Sequence, residues 1–578
     1  MLITRLHKFL TAPTAKTFNS RMVFWFSLSL TFAAMYAWLG LRIAFSREYV
    51  LQDDARQHVF WMWRFFDPSL FPNDLIADYF QSVAPLGYTT LYRLFALLGI
   101  DPILLSKLLP IVLGLITTGY CFGVCLQMLP VPMAGFLATL LLNQNIWMAD
   151  DLVSSTPRAF VYPLIVAFLY YLLRRQLIYC LVAIALLGVF YPPFLFIEAG
   201  ILILRLLCWK GWLPRLSENR LDYLFCLTGL GVALLVMLPY ALSSSEFGPV
   251  ISGIEARALP EFYRGGRIPF FDDDPWDFWL YGRDSGILKQ GFEPPLSWAG
   301  LLLPILLRYP SRFPLVKQIT SRVTLLPQIV LISLGMFLAA HVLLYKLFAP
   351  SRYTRYSLRL VMIVAAGMAL VVILDAVWLW ARQQALVKGQ RLFLALGLTA
   401  VLGATLILYP SFLKTFPKTN YIVRKVPTLY EFFQEQPKDT LIASVSSKVD
   451  NLPPFSKRSI LFGWEYANPY HVGYYRQIRQ RATDMIRAQY SQDLAEVQNF
   501  IRTYGVDFLL LDANAFTPEY MLANHWFRQW QPIAKNILAK LEQGITPALS
   551  SVMEPCAVFE TKSLVVLEAD CIAKAPQK

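Results

Sequence analysis

Apolar residues run in long blocks from Met22 to about Pro410 and then stop. Many of the blocks approach the ~20 residues a helix needs to cross a bilayer. The pattern predicts spans over 22–44, 106–128, 131–149, 157–173, 176–191, 193–209, 222–242, 294–308, 324–346, 358–381 and 392–410. Tyr191-Pro192-Pro193 divides the stretch 176–209, which reads as one broken helix or as two short ones.

Charge decides between the two. Lys and Arg in short loops stay on the cytoplasmic side. With two helices, the loops carrying Arg174 and Arg175, then Lys210, Arg215 and Arg220, then Arg308, Arg312, Lys317 and Arg322, then Arg382, Lys388 and Arg391 all share the side of the N-terminus. The same parity puts Asp53-Asp54, Asp150-Asp151 and Asp272-Asp273-Asp274 together on the exoplasmic face. The first run follows Arg5, Lys8, Lys16 and Arg21 and lacks a small-residue cleavage site, which predicts a retained signal anchor.

Past 410 the pattern changes. Thr440–Val445 and Val506–Leu511 have the short apolar form of buried strands, with a polar helical stretch from about Tyr475 to Tyr504 between them. Ala557–Glu560 and Ser563–Leu567 fit a hairpin that Cys556 and Cys571 would close. The expected fold is therefore mostly α, a polytopic transmembrane helix bundle of about 11 spans with a C-terminal soluble α/β domain. Residues 1–410 form the membrane part, with long exoplasmic loops over 45–105 and 243–293, and residues 411–578 form the exoplasmic domain. In the first loop, Asp53–Phe66 sets Phe60, Trp61, Phe65 and Phe66 against Arg56, Gln57 and Arg64, the spacing of a helix lying on the bilayer.

Composition supports the membrane assignment. Of 578 residues, 56% are hydrophobic and 16% charged, with a mean hydropathy of +0.47, too apolar for a soluble chain of this size. The net charge of +14 is scattered between apolar runs and forms no basic face, so nucleic acid is not an expected partner. No Walker A loop, G-x-G-x-x-G fingerprint or internal repeat occurs, which argues against an ATP-driven pump. His58, His341 and His471 lack metal-ligand spacing.

Candidate chemistry gathers on the predicted exoplasmic face. Gln52-Asp53-Asp54-Ala55-Arg56 begins just outside the first span, where carboxylates suit a general base or a divalent cation, Mg or Mn, set against a phosphate. A helix cap would need only one of the two. Asp150-Asp151 sits in another short loop, followed by Ser155-Thr156-Pro157-Arg158, and Arg158 suits either a lipid phosphate or an ion pair with those aspartates. The loop from Lys346 to Tyr356 places Arg352 and Arg355, with Arg359 beyond, on the outer side against the positive-inside bias. Either a phosphate or aspartates of other loops would account for them. The largest loop carries Arg264-Gly265-Gly266-Arg267, Asp272-Asp273-Asp274, Trp276, Trp279, Tyr281 and Arg283, whose aromatics and carboxylates suit saccharide binding, while the Asp run before Pro275 also suits a solvated turn.

Taken together, these features resemble the GT-C superfamily of membrane glycosyltransferases, which includes protein O-mannosyltransferases, the aminoarabinose transferase of lipid A and the catalytic subunit of oligosaccharyltransferase. Asp53-Asp54 matches the family's first-loop acidic motif, and Asp150-Asp151 sits where oligosaccharyltransferase-like members carry a second. Phe462-Gly463-Trp464-Glu465-Tyr466 is similar to their Trp-Trp-Asp-Tyr-Gly motif but lacks the second Trp and the Gly. The resemblance implies an inverting hexosyl or pentosyl transferase of the cell envelope, resident in the plasma or inner membrane. It would use a lipid-linked sugar donor and a glycan, lipid or protein acceptor. Asp53 and Asp54 would be catalytic, with Arg158, Arg352, Arg355, Asp150 and Asp151 binding substrate, and Asp53 and Asp151 are the candidate metal ligands. The alternatives are a transporter or flippase for lipid-linked saccharides, which predicts inverted repeats and intramembrane charges, and a non-catalytic scaffold acting through its tail.

Overall fold

The computed structural model describes residues 2–14, 19–210, 213–242, 245–288, 291–382, 388–423 and 426–576. All eleven apolar stretches contain a helix, although the stretch 193–209 leaves its helix at Leu204 and ends in the strand Leu207–Lys210. Six helices, Ser20–Ala44, Pro102–Met128, Arg220–Leu242, Ser321–Val342, Ser351–Arg382 and Gly389–Phe412, are long and apolar enough to cross a membrane. The other five stretches form shorter helices: Pro132–Trp147, Pro157–Leu173, Leu177–Phe190, Pro192–Leu204 and Pro295–Leu307. Pro132–Trp147 is buried along its whole length and packs on the largely buried Ser357–Arg382. A Cβ on Gly367 would lie 2.7 Å from the Ala138 nitrogen, so only glycine lets the two backbones meet there.

The Pro192-Pro193 break makes a helical hairpin. Ile184 and Leu202, on its two arms, both crowd Gly229, and Gly188 meets both Leu195 and Val236. The arms thus run antiparallel beside Arg220–Leu242. The turn of this hairpin brings Tyr191 and Phe194 against the Tyr356 ring, with centroids 6.4 and 5.8 Å away. At the opposite end of the bundle, Arg175 pairs with Asp222 at 3.0 Å and the Thr320 N–H donates to Met128 O at 2.8 Å. That end also receives the helix Leu2–Thr11, whose His7 lies 2.8 Å from Asp375 and beside Arg382. Basic loops and acidic loops therefore occupy opposite ends, as the charge pattern predicts.

The tail folds around a five-stranded sheet with Ser459–Ile460 at one edge, then Leu441–Ala443, Phe508–Asp512, Leu564–Glu568 and Ala557–Thr561. The first three strands are parallel and the last two antiparallel. Cys556 and Cys571 are bridged beside the terminal hairpin. The polar helical stretch is two helices, Val472–Gln489 and Leu494–Tyr504, because Asp493 caps a new start by accepting from Ala495 N. A separate ladder pairs Val50–Gln52 antiparallel with Tyr421–Val423, tying the first loop to the chain that leaves the last span.

Two local expectations change. Asp53–Phe66 is a helix to Val59 and a 3-10 turn to Phe65, with Phe60, Trp61 and Met62 fully buried. The tail covers part of the aromatic face assigned to lipid, placing Tyr466 5.3 Å from Phe60, while Phe66 is 40% exposed. The helix cap is neither aspartate. Gln52 fills it, its side-chain oxygen accepting from Asp54 N at 2.9 Å and Ala55 N at 3.2 Å.

Candidate active site

Four segments distant in sequence converge on Asp54. The Gln52 cap points Asp54 toward Arg158, which starts the helix after Pro157, and the two form a close ion pair. The same guanidinium lies 3.4 Å from Asp150 and 3.6 Å from Asp151. Arg355, at the end of the short helix Ser351–Arg355, approaches Asp151 to 2.8 Å and Asp150 to 3.7 Å. Tyr356 OH donates to Asp151 at 3.2 Å, and Asn420 Nδ2 to Asp150 at 2.9 Å. Three carboxylates thus meet two guanidiniums. The side chains of Asp151 and Arg355 are each 1% exposed. Burial pushes the Asp151 carboxyl up, but Arg355 and Arg158 outweigh it and hold it below the usual carboxylate range.

Asp53 faces a second cluster. Its carboxylate accepts from Arg56, and Arg56 also reaches Glu465 at 3.2 Å and Asn451 at 3.1 Å. Arg267 Nη2 donates to Glu465 Oε1 and to its backbone oxygen, both at 2.8 Å. Glu465 and Asn451 arrive because their loops leave the carboxyl ends of parallel strands, where open α/β sheets build their sites. A Cβ on Gly463 would lie 2.2 Å from Asp450 Oδ1, so a side chain there would have to displace the Asp450 carboxylate. Burial, then the charge of Glu465, raises the Asp53 carboxyl, with Arg56 opposing. Burial likewise pushes Asp450 up to about 7. For Glu465 burial is outweighed by Arg267 and Arg56, and its carboxyl is lowered. His58, near Asp54 and Arg158, is pushed by burial down to about 4 and is neutral at pH 7.

These backbone paths resemble solved structures. One is the Archaeoglobus fulgidus oligosaccharyltransferase tethered to an acceptor peptide containing the NVT sequon, at TM-score 0.53 and 14% identity, covering 89% of this chain and 72% of that one. Another is the oligosaccharyltransferase AglB of the same organism in complex with an inhibitory peptide and a dolichol-phosphate, at 0.53, 12%, 89% and 72%. The chain shares the fold of these two structures. The mycobacterial arabinofuranosyltransferase AftD superposes at TM-score 0.46 and 15% identity, over 83% of this chain and 36% of that one. No family model and no curated protein matches the sequence.

Within this fold, five of the seven candidate residues, Asp54, Asp150, Asp151, Arg158 and Arg355, form one cluster. Asp53 turns to Arg56, and Arg352 lies apart, 3.5 Å from Asp284. Arg352 and Arg355 thus find their counter-charges in aspartates of other loops. The two candidate metal ligands, Asp53 and Asp151, are held in separate ion-pair sets. Among the described residues no group of three or more His, Cys, Asp or Glu side chains is arranged to hold a metal. Sequence reasoning assigned no role to Arg56, Asp284 or Asp450. Glu465 carried a signal, its place in the Phe462–Tyr466 motif.

Proposed function

We propose that the protein is a membrane glycosyltransferase that moves a sugar from a polyprenyl-phosphate-linked donor to an acceptor on the exoplasmic face. The observation that carries this is the convergence of Asp54, Asp150, Asp151, Arg158 and Arg355 at the acidic end of a GT-C bundle, with Asp53 joined through Arg56 to the tail. The A. fulgidus neighbours, solved with a dolichol-phosphate and with an acceptor peptide, favour a lipid-linked donor and an acceptor from the aqueous side.

The acceptor hydroxyl gives its proton to Asp53 or Asp54 as its oxygen attacks the anomeric carbon. The new glycosidic C–O bond forms as the bond to the donor phosphate breaks, and the electron pair leaves on the phosphate oxygen. A single in-line displacement inverts the anomeric centre. Asp53 suits the base role best, because burial and Glu465 raise its carboxyl toward the working pH. Arg158 and Arg355, fixed by their aspartates, offset charge developing on the leaving phosphate without having to reorganise.

The tail lies on the exoplasmic side by the positive-inside rule, and the Cys556–Cys571 bridge suits an oxidising compartment. Mass spectrometry of glycans and lipid-linked sugars in a deletion strain tests the assignment. A transferase leaves its donor accumulated on the exoplasmic side and one glycan shortened. A flippase leaves the donor on the cytoplasmic side, and a scaffold leaves both pools unchanged.

A further inference from the structure

The helix Leu2–Thr11 precedes the first span and lies at the far end of the bundle from the acidic cluster. Residues three or four apart share a face of a helix, and burial sorts the side chains of this one into three stripes. His7, Leu10 and Thr11 are buried, and Leu6 and Phe9 are exposed apolar side chains. Arg5 and Lys8 are exposed bases.

The buried stripe fixes the helix on the bundle. His7 Nε2 and Thr11 Oγ1 each lie 2.8 Å from Asp375 Oδ1, and the His7 ring stacks on Trp378 with centroids 6.2 Å apart. Both partners belong to Ser357–Arg382. Phe9 packs on Phe24 and Trp25 of the first span at 5.3 and 5.4 Å, and Arg21 donates to the backbone oxygens of Lys8 and Pro13. The Thr14 N–H donates to Pro130 O at 2.8 Å, in the short turn between Pro102–Met128 and Pro132–Trp147. The helix therefore lies beside the start of the first span, at the basic end of the bundle.

The other two stripes face outward. Val23 and Phe24, at the start of the first span, are themselves exposed, so Leu6 and Phe9 extend the lipid-facing surface of that span sideways. Arg5 and Lys8 run along the neighbouring stripe, and residues 2–21 contain no Asp or Glu. An apolar stripe flanked by bases is the form of a helix that lies in the membrane interface, and its charge complements anionic phospholipid on a cytoplasmic leaflet. An apolar stripe alone would suit a partner helix equally well; the bases beside it and its continuity with a span favour the bilayer.

We propose that Leu2–Thr11 binds the anionic phospholipid surface of the cytoplasmic leaflet, with Leu6 and Phe9 at the acyl boundary and Arg5 and Lys8 against the headgroups. This surface takes no part in sugar transfer, so the inference goes beyond the glycosyltransferase reading and does not depend on it.

The test is amide hydrogen exchange of residues 6–11 in the full chain, in nanodiscs of phosphatidylcholine alone and of equimolar phosphatidylcholine and phosphatidylglycerol. It compares wild type with Arg5→Gln, Lys8→Gln, Leu6→Ser and, as a charge control in the tail, Lys562→Gln. A base at an anionic surface strengthens attachment about fivefold, so wild-type protection should rise on the order of twentyfold with phosphatidylglycerol. Each base variant should lose about fivefold of that gain and keep its protection in phosphatidylcholine, and Lys562→Gln should lose none. High salt should erase the gain in wild type, a reading that needs no variant. Leu6→Ser should lower protection in both lipid mixtures. Equal wild-type protection in both mixtures, as a helix held only by Asp375 or covered by a partner protein would show, overturns the proposal. So does a phosphatidylglycerol gain that both base variants keep within twofold, or unchanged protection for Leu6→Ser.

Discussion

Replacing Glu465 by Gln removes a charge that lies in the tail, yet its effect should appear in the chemistry of the first loop. Asp53 and Glu465 both contact Arg56 Nη2, so their charged oxygens are at most about 6 Å apart, and at an effective dielectric constant of ~20 their repulsion is roughly 3 kcal/mol. The Asp53 side chain is 38% exposed, and solvent screening reduces this to about 1 kcal/mol. Glu465 raises Asp53, so its loss lowers the Asp53 carboxyl by somewhat under one pH unit. A base that must be ionised then becomes active at lower pH. The acidic limb of the pH–rate profile for sugar transfer should shift down by that amount, while the plateau falls modestly because a weaker base accepts the proton. Gln still accepts from Arg267, and a thermal melt of the purified variant checks that the tail stays folded. A lower rate with an unmoved limb, or a limb moved upward, would refute the reasoning and leave Glu465 a purely structural residue.

Arg355→Ala removes the nearest counter-charge of Asp151, whose side chain is 1% exposed, and leaves it Arg158 at 3.6 Å; up to about 3 kcal/mol of stability should be lost, read as a drop in melting temperature, and adding Asp151→Asn should restore part of it. Replacing both Cys556 and Cys571 by Ser opens a crosslink of sequence separation 15 and should cost the tail about 3 kcal/mol by chain entropy, measured by urea-dependent proteolysis, whereas full thiol labelling of the native oxidised protein would deny the bridge. A reporter fused after Lys578 should be active only when it works outside the cytoplasm; activity confined to the cytoplasm would reverse the topology and the shared acidic face with it.

What the sequence revealed follows from the range of each interaction. Apolar blocks and the Tyr191-Pro192-Pro193 break are local signals, and the helices and hairpin appear where those signals lie. Asp54, Asp150, Asp151 and Arg158 were legible because they sit at span ends, and Arg355 because it opposes the charge bias. The pairing of Arg56 with Glu465 was not legible, since 409 residues separate them and only the sheet brings them together. The helix from Asp53 has the same apolar spacing whether lipid or protein covers it, and only Tyr466 against Phe60 distinguishes the two. Ser459–Ile460 is two residues long, too short for any periodicity, although it directs the loop that carries Glu465. Gln52 ranks below Asp as a cap by propensity, yet its side-chain oxygen accepts from two amides, as Asp74 does at the next helix.

The central claim is that the aspartate pair carries out transfer, and the most direct test supplies membranes of a deletion strain, with their accumulated lipid-linked donor, with wild type, Asp53→Asn or Asp54→Asn at equal abundance. Neither residue caps its helix, so loss of activity cannot be laid to a lost cap. The account predicts that transfer of labelled sugar slows by about a hundredfold or more in the variant that lacks the base, with the donor still bound. Near-wild-type transfer by both variants would contradict it.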